Sequence, residues 1–231
     1  MAVERVETGI PGLDKLTDGG FVKGSSNLLA GTTGTCKTIF GCQFLLHGAR
    51  KGENGVYLSL EQTKEEILAD VASFGWNKEI EKYEKEGKII IASQAPTDIK
   101  DVGDVALSFI RRVKAKRFVL DSLSIATLGW KVPTQDVGKV RMELVDMVGM
   151  IKNTGVTTIL IGEIPETKIK ALSRLGIEEF IVDSVIILHY LEYAAGGTPR
   201  SLIIRKMRRT SHGTDIYPLI ITNKGLVVKK G

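Results

Sequence analysis

The sequence predicts an α/β fold in which a mostly parallel central sheet is flanked by helices and continued by antiparallel strands. Three observations favour this class. Short apolar runs alternate with amphipathic helical patterns along most of the chain, which is typical of parallel sheets. A glycine- and threonine-rich turn at 31–38 joins the first such strand to a helix. About the last fifty residues form strand-like runs joined by short turns, which indicates antiparallel pairing.

The turn nearly satisfies the phosphate-loop pattern G-x-x-x-x-G-K-[ST], and its residues are Gly31, Thr32, Thr33, Gly34, Thr35, Cys36, Lys37 and Thr38. A strand pattern at 26–30 precedes it and a helical pattern at 39–47 follows it. This arrangement directs backbone N–H groups and a helix N-terminus towards an anion. Lys37 would reach the β- and γ-phosphates of a nucleotide, and the Thr38 hydroxyl would ligate Mg²⁺.

Cys36 departs from the pattern, because a glycine normally occupies its position. If the backbone there needs a positive φ, the side chain costs on the order of 1 kcal/mol relative to glycine. The substituted loop is still expected to bind nucleotide, more weakly or with slower chemistry. The alternative is a turn that merely precedes a core helix.

The remaining elements follow in order along the chain. Further strands are expected at 56–60, 88–92, 117–122 and 156–162. Thr63 and Glu66 form a capping box for a helix whose apolar face runs to Phe74. Other helices are expected at 77–86, 101–114 and 140–153, and the last of these is methionine-rich and expected to pack in the core. A loop is expected at 128–135.

The carboxyl-terminal strands are expected at 182–190, 201–207, 216–221 and 226–229, with turns at 196–198 and 223–225. The sequence contains no linker, internal repeat or low-complexity segment. Residues 1–231 are therefore expected to form a single domain.

Composition argues against several classes of protein. The two cysteines, Cys36 and Cys42, imply neither a disulfide framework nor a thiolate metal site. The sequence lacks an apolar run of ~18 residues and a signal-peptide core, so a soluble cytoplasmic protein without membrane contact is expected. The net charge of +5 suits a polyphosphate ligand or weak DNA contact, but by itself is too small to argue for DNA binding.

Three carboxylates follow predicted strands, where ligands bind in such sheets: Glu61, Asp121 and Glu163. Asp121 matches a Walker B aspartate and would help to hold Mg²⁺; the alternative is an N-cap for the next turn. Glu61 is expected at the tip of the strand next to the phosphate loop, where it would polarise a water for attack on the γ-phosphorus. Glu163 is a less specific candidate for a γ-phosphate sensor.

Collinear motifs cover nearly the whole chain, namely T-G-I-P-G-L-D at 8–14, the loop at 31–38, L-E-Q-T at 60–63, V-L-D-S at 119–122 and K-M-R-R-T-S-H at 206–212. With these motifs the sequence resembles the KaiC-like branch of the RecA superfamily of ATPases. The resemblance implies a RecA-like P-loop fold, ATP and Mg²⁺ as ligands, and Glu61 as the catalytic glutamate.

The resemblance also implies a homo-oligomer, with a hexameric ring as the candidate form. In hexameric members, Lys206 and Arg208 match a pair that reaches the γ-phosphate held by the neighbouring subunit. Ser211 and His212 match positions that line the nucleotide from that neighbour. Two cations at i and i+2 project from the same face of a strand and repel each other, and no anion lies nearby in sequence, which favours an anion supplied from elsewhere. The alternative for this segment is a basic edge strand facing solvent, which requires no oligomer.

The leading hypothesis is Mg-dependent ATP hydrolysis coupled to oligomer assembly or signalling. One alternative is a recombinase-paralogue-like DNA-binding protein, which would use loops at 127–139 and 165–178. The second loop contains Lys168, Lys170 and Arg174, but aromatic residues for base stacking are few. Another alternative is a nucleotide-sensing scaffold with little turnover, to which Cys36 points. A circadian or autokinase role does not follow, because the cyanobacterial clock protein has two such domains in tandem.

Overall fold

The computed structural model describes residues 3–95, 99–126, 137–168, 170–190 and 199–229, and the side chains of Val137 and Lys168 lie outside this description. The strands in this part of the chain are β1 Arg5–Val6, β2 Phe21–Val22, β3 Ser26–Gly31, β4 Gly55–Ser59, β5 Ile89–Ser93, β6 Arg117–Asp121, β7 Thr157–Glu163, β8 Ser184–Tyr190, β9 Arg200–Met207, β10 Tyr217–Thr222 and β11 Gly225–Val228. The helices are α1 Lys37–Arg50, α2 Lys64–Asp70, α3 Trp76–Lys85, α4 Ile99–Val113, α5 Leu123–Ala126, α6 Val137–Lys152 and α7 Glu178–Ile181.

Nine of the described strands form one sheet in the order β11-β10-β9-β8-β3-β7-β6-β4-β5. The strands from β8 to β5 in this order run parallel, whereas β9, β10 and β11 continue the sheet antiparallel. The predicted fold class is therefore confirmed. Every residue of β3 is buried, as expected for a central strand that is covered on both faces.

Helices cover both faces of the sheet with separate apolar clusters. On one face, Phe40 and Phe44 of α1 pack with Tyr57 of β4. On the other face, α4 and α6 pack over Phe118 of β6 through apolar side chains such as Leu144. This packing places α1 against the sheet, and the turn that joins β3 to α1 lies at the carboxyl edge of the sheet.

Several boundaries differ from the sequence predictions. The helix that begins after Thr63 ends at Asp70, because a 3-10 turn at Ala72–Phe74 and the left-handed Gly75 (φ 73°) break it before α3. The two-residue strands β1 and β2 and the four-residue helices α5 and α7 were not predicted, since such short elements show no periodicity. The loop expected at 128–135 and the turn at 196–198 lie outside the described residues.

One prediction about packing was wrong. The strand before Glu61, β4, is not next to the phosphate-loop strand, because β7 and β6 lie between β4 and β3. The methionine-rich helix α6 packs in the core as predicted, through residues such as Leu144 and Met147, but Met142 is 68% and Met150 37% exposed. Met142 precedes Met147 by five residues, which rotates it by about 140° around the helix and away from the core. Among the described residues, no helix combines the length and apolarity that a membrane span requires.

Candidate functional site

The turn between β3 and α1 is closed by its own side chains. The Thr35 hydroxyl donates to the carbonyl oxygen of Thr32 at 2.8 Å. The Lys37 ammonium donates to the carbonyl oxygens of Gly31 and Thr32 at 3.0 and 2.8 Å. Burial lowers the pKa of Lys37, while the carboxylates of Asp121, Glu163 and Glu61 oppose that shift. A cation is thereby held at the mouth of a loop whose backbone can receive an anion.

Cys36 adopts the left-handed conformation, with φ 70° and ψ 32°, immediately before α1. A positive φ was the condition under which a side chain here would be costly. Burial raises the pKa of the Cys36 thiol, although the nearby cations Arg200 and Lys37 oppose the shift. The thiol is therefore protonated at neutral pH, and the departure from glycine affects the backbone rather than adding a charge.

Replacing Cys36 with glycine is expected to stabilise the protein by about 1 kcal/mol, because glycine adopts this conformation without a Cβ clash. For a protein of this size the melting temperature should rise by about 2–4 °C in thermal unfolding. Cys36→Ala is the matched control, since it removes the thiol but keeps the Cβ. An equal rise in both variants, or a rise in neither, would show that backbone strain is not the cause.

Thr38, Asp121 and Tyr57 form a polar cluster behind the loop, in which Asp121 and Tyr57 are buried and Thr38 is half-buried. The Asp121 Oδ2 atom accepts hydrogen bonds from the Thr38 hydroxyl at 3.0 Å and from the Tyr57 hydroxyl at 2.6 Å. Burial raises the pKa of Asp121, and these two hydrogen bonds oppose the rise. The N-cap alternative for Asp121 is wrong, because the Ser122 hydroxyl instead accepts from the backbone N–H of Ile125 at 3.3 Å in the following turn.

A hydroxyl beside a carboxylate is a donor set that suits Mg²⁺, which takes one or two protein oxygens and completes its shell with water and phosphate. Thr38 and Asp121 provide this pair. Among the described residues, no group of three or more His, Cys, Asp or Glu side chains has the geometry to hold a metal ion alone. Thr38 and Asp121 would therefore supply two protein oxygens to a Mg²⁺ ion at this edge of the sheet.

Glu61 is held by two serines. The Ser59 hydroxyl accepts from the backbone N–H groups of Glu61 and Gln62 at 3.3 and 2.9 Å, which fixes the turn after β4. The Ser122 hydroxyl donates to Glu61 Oε1 at 2.7 Å. Desolvation raises the pKa of Glu61, the hydrogen bond from Ser122 opposes this, and the negative charges of Asp121 and Glu163 add to the rise. A carboxylate with a raised pKa is a better proton acceptor near neutral pH than an ordinary one.

A cavity of 630 Å³, here named the loop cavity, brings most of the predicted site residues together. Although β4 and β3 are not neighbours, their carboxyl ends reach the same edge of the sheet, so Glu61 and the loop face one space. The lining residues include Thr33, Gly34, Thr35, Cys36, Lys37, Thr38, Glu61, Asp121, Ser122, Glu163 and Arg200.

A second space of 380 Å³, here named the side chamber, adjoins the loop on the other side of Lys37. Thr33, Lys37 and Glu163 line both spaces. The Glu163 carboxylate pairs with Arg174, with 3.1 Å between Oε2 and Nη1. The side chamber thus continues the loop cavity beyond the lysine.

The carboxyl-terminal candidates do not reach the loop of their own chain. The Lys206 ammonium donates to the carbonyl oxygens of Glu179 and Val182 at 3.0 and 2.6 Å. Arg208 follows β9 and lies 3.7 Å from Asp183, whose carboxylate also accepts from the backbone N–H of Ser26. Ser26 begins β3 and the loop follows its end, so the six-residue strand separates them by about 17–20 Å.

The fold bears on two points about this segment. The nearby sequence supplies no anion for the two cations, but the pairing of β8 with β9 brings Asp183 to Arg208. The strand is not an edge strand, since β9 lies between β8 and β10, although its register with β10 involves only Leu202 and Ser201. The other two candidates also lie in this region: the backbone N–H of Ser211 donates to Asp18, and the His212 ring contacts the carbonyl oxygen of Gly213.

Three residues of the site were missed from the sequence. Tyr57 had a usable signal, because a tyrosine within a buried strand needs a partner for its hydroxyl. Ser122 follows Asp121 directly, but only the folded chain brings it to Glu61. No sequence pattern marks Arg200 as a site residue. Its Nε donates to the Gly34 carbonyl at 2.8 Å, and its guanidinium lies 4.8 Å from the Tyr190 ring centre.

The loops that would contact DNA provide little support for that alternative. Residues 127–136 and the Lys168 side chain lie outside the described part of the chain. In the described part of the second loop, Arg174 is paired with Glu163. Lys170 is exposed, and it alone would form a weak electrostatic footprint.

Comparison with known proteins gives a consistent match. A family model described as "ATPase: KaiC" matches residues 6–231. The circadian clock protein KaiC3 of Synechocystis sp. is 36% identical over 238 residues, which cover 98% of this chain but 46% of that protein. A UPF0273 protein of Thermotoga maritima is 32% identical over an alignment of 243 residues, and the alignment covers 98% of this chain and 96% of that protein.

The solved structures include a similar fold. The crystal structure of a KaiC-like protein from the hyperthermophilic archaeon Pyrococcus horikoshii OT3 is 40% identical in sequence, with a TM-score of 0.87. The match covers 99% of this chain and 100% of that chain. The chain thus spans about half the length of the clock relative and nearly the full length of the UPF0273 relative.

Proposed function

The chain belongs to the KaiC family of ATPases, and on this premise we propose that it hydrolyses Mg·ATP on the loop at 31–38, with a neighbouring copy completing the site. Family membership confirms the resemblance drawn from the sequence motifs. The observation that carries the proposal is the convergence of Lys37, the Thr38–Asp121 pair and Glu61 on the loop cavity.

Each of these groups has a distinct task in phosphoryl transfer to water. The loop backbone and Lys37 bind and orient the phosphates. Thr38 and Asp121 would hold Mg²⁺, which supplies neutralisation of phosphate charge when bound. Glu61 accepts a proton from the attacking water, and Ser122 keeps the accepting carboxylate in place. The water oxygen bonds to the γ-phosphorus while the bond to the β-phosphate oxygen breaks, releasing ADP and phosphate.

The neighbouring copy would contribute Arg208 and Lys206, with Ser211 and His212 beside the nucleotide. The distance between these residues and the loop of the same chain supports a role across an interface. A guanidinium delivered to the transferring phosphoryl group stabilises the transition state and makes turnover depend on assembly. In the single chain, Arg208 rests against Asp183 with a side chain that is 56% exposed, so it is accessible to a partner.

The test combines two measurements on the purified protein. Phosphate release and molecular mass in solution are measured with and without Mg·ATP. We expect steady-state phosphate release that rises with protein concentration as oligomers form. A monomer that releases phosphate at full rate would contradict the role of a neighbour, and an absence of release from a nucleotide-bound oligomer would contradict hydrolysis.

A nucleotide-sensing scaffold with little turnover is a second candidate, and the left-handed Cys36 favours it. Strain in the loop that orients the phosphates would slow chemistry more than it weakens binding, because catalysis depends on orientation. Nucleotide affinity and turnover measured on the same preparation separate the two candidates. Tight binding with negligible turnover would favour the scaffold.

A further inference from the structure

We propose that Arg174 gives up its ion pair with Glu163 and binds the terminal phosphate of a nucleoside triphosphate. The chain would thereby distinguish triphosphates from diphosphates. The inference rests on the proposed nucleotide site at 31–38. Arg174 would then be a phosphate-binding residue of the same chain. It lies in the segment after β7 and does not come from the neighbouring copy.

The position of Glu163 at the end of β7 places its ion pair with Arg174 beside the loop at 31–38. Glu163 ends β7 and pairs in register with Gly31, the last residue of β3. The next residue, Ile164, donates its backbone N–H to the Gly31 carbonyl at 3.1 Å. The Glu163 carboxylate also acts electrostatically on Lys37, the residue that would hold the β- and γ-phosphates.

Arg174 projects from an ordered turn. Glu178, which is 2% exposed, accepts hydrogen bonds from the Ser173 hydroxyl and from the backbone N–H groups of Leu175 and Ile177, at 2.7, 3.2 and 3.1 Å. The Ser173 hydroxyl also accepts from the Gly176 backbone N–H at 3.1 Å. Because these bonds fix the residues on both sides of Arg174, its guanidinium is presented to the side chamber from a defined backbone.

The pair between Arg174 and Glu163 is suited to exchange. A single contact of 3.1 Å joins the two groups, which is longer than a strong charge-assisted hydrogen bond, and their side chains are 33% and 40% exposed. Exposed pairs of this kind contribute little net stability. A guanidinium, in contrast, matches the oxygens of a phosphate with two parallel N–H donors.

A terminal phosphate beside Lys37 changes the charge balance of the side chamber. Such a group carries about two negative charges at neutral pH, so it repels the Glu163 carboxylate and attracts the Arg174 guanidinium. A diphosphate ends one phosphate earlier and leaves the ion pair undisturbed. The exchange therefore requires the γ-phosphate, so the contacts of the segment that carries Arg174 differ between the triphosphate and diphosphate complexes.

The test compares ADP with β,γ-imido-ATP, a triphosphate that is not hydrolysed, by calorimetric titration in the presence of Mg²⁺. Arg174→Gln is expected to weaken binding of the triphosphate by about ten- to a hundredfold, the range for a charged hydrogen bond, with ADP affinity within about twofold of wild type. Arg174→Lys should give an intermediate loss of triphosphate affinity, because lysine keeps the positive charge but lacks the two parallel N–H donors. Lys170→Gln is the matched control on the same segment and should leave both affinities unchanged.

Equal affinity changes for both nucleotides in Arg174→Gln, or no change for either, would overturn the proposal. These results differ from a failure of the nucleotide site itself, in which wild-type protein would bind neither nucleotide. That outcome would overturn both the proposed function and the exchange.

Discussion

Replacing Arg208 with alanine is expected to lower ATP turnover about a thousandfold or more while leaving nucleotide binding by the isolated chain intact. The loop and Arg208 lie at opposite ends of β3, so the side chain cannot act on the nucleotide of its own chain. The fold should survive, because Asp183 keeps its contacts with Lys152 at 2.7 Å and with the Ser26 N–H at 3.0 Å.

Arg209→Ala is the matched control for this prediction. It removes the adjacent exposed arginine, while the Arg209 carbonyl that accepts from Arg5 is retained. Mixing Arg208→Ala with Lys37→Ala subunits then tests action across an interface. Mixed assemblies should recover activity from sites where an intact loop faces an intact Arg208. Mixtures that assemble normally but remain inactive would refute action in trans.

Replacing Glu61 with glutamine is expected to preserve ATP binding and lower turnover by about 10²–10⁴-fold. The amide keeps an Oε1 acceptor for the Ser122 hydroxyl, so the shape of the site is maintained. It cannot accept the proton of the attacking water, so the loss falls on the chemical step. Single-turnover phosphate release, measured after nucleotide binding has been verified, isolates this step.

Glu65→Gln provides the control for Glu61→Gln, because Glu65 is an exposed carboxylate on the adjacent helix α2 and does not line the loop cavity. Its turnover should equal that of the wild type. Undiminished hydrolysis in Glu61→Gln would assign the proton acceptor elsewhere. Glu163, which lines the same cavity, would then be the next residue to replace.

Local sequence was sufficient to predict the parts of the site that depend on neighbours in the chain. The loop lies between a buried strand and a helix, and Asp121 ends an apolar strand, so both can be read from short stretches. The general class of the sheet follows from the same alternation. The order of the strands does not, which is why Glu61 was expected on the strand next to the loop although β7 and β6 intervene.

Contacts between distant residues could not be predicted. The anion for Arg208 is Asp183, and only the register of β8 with β9 brings them together. The same limit applies to Arg174, whose partner Glu163 changes it from a DNA-binding candidate into a candidate phosphate ligand. Periodicity describes which face of an element is buried, whereas such pairs depend on how elements cross in space.

The central claim is that the loop at 31–38 binds the phosphates of a nucleotide through Lys37. Thermal unfolding of wild type and Lys37→Ala with Mg·ATP tests it most directly, with Lys51→Ala, an exposed cation just after the other end of α1, as control. At ~100 times the dissociation constant, nucleotide should stabilise wild type and the control by about 2.7 kcal/mol, and Lys37→Ala should show no stabilisation. An equal melting shift in Lys37→Ala would contradict the assignment of the site.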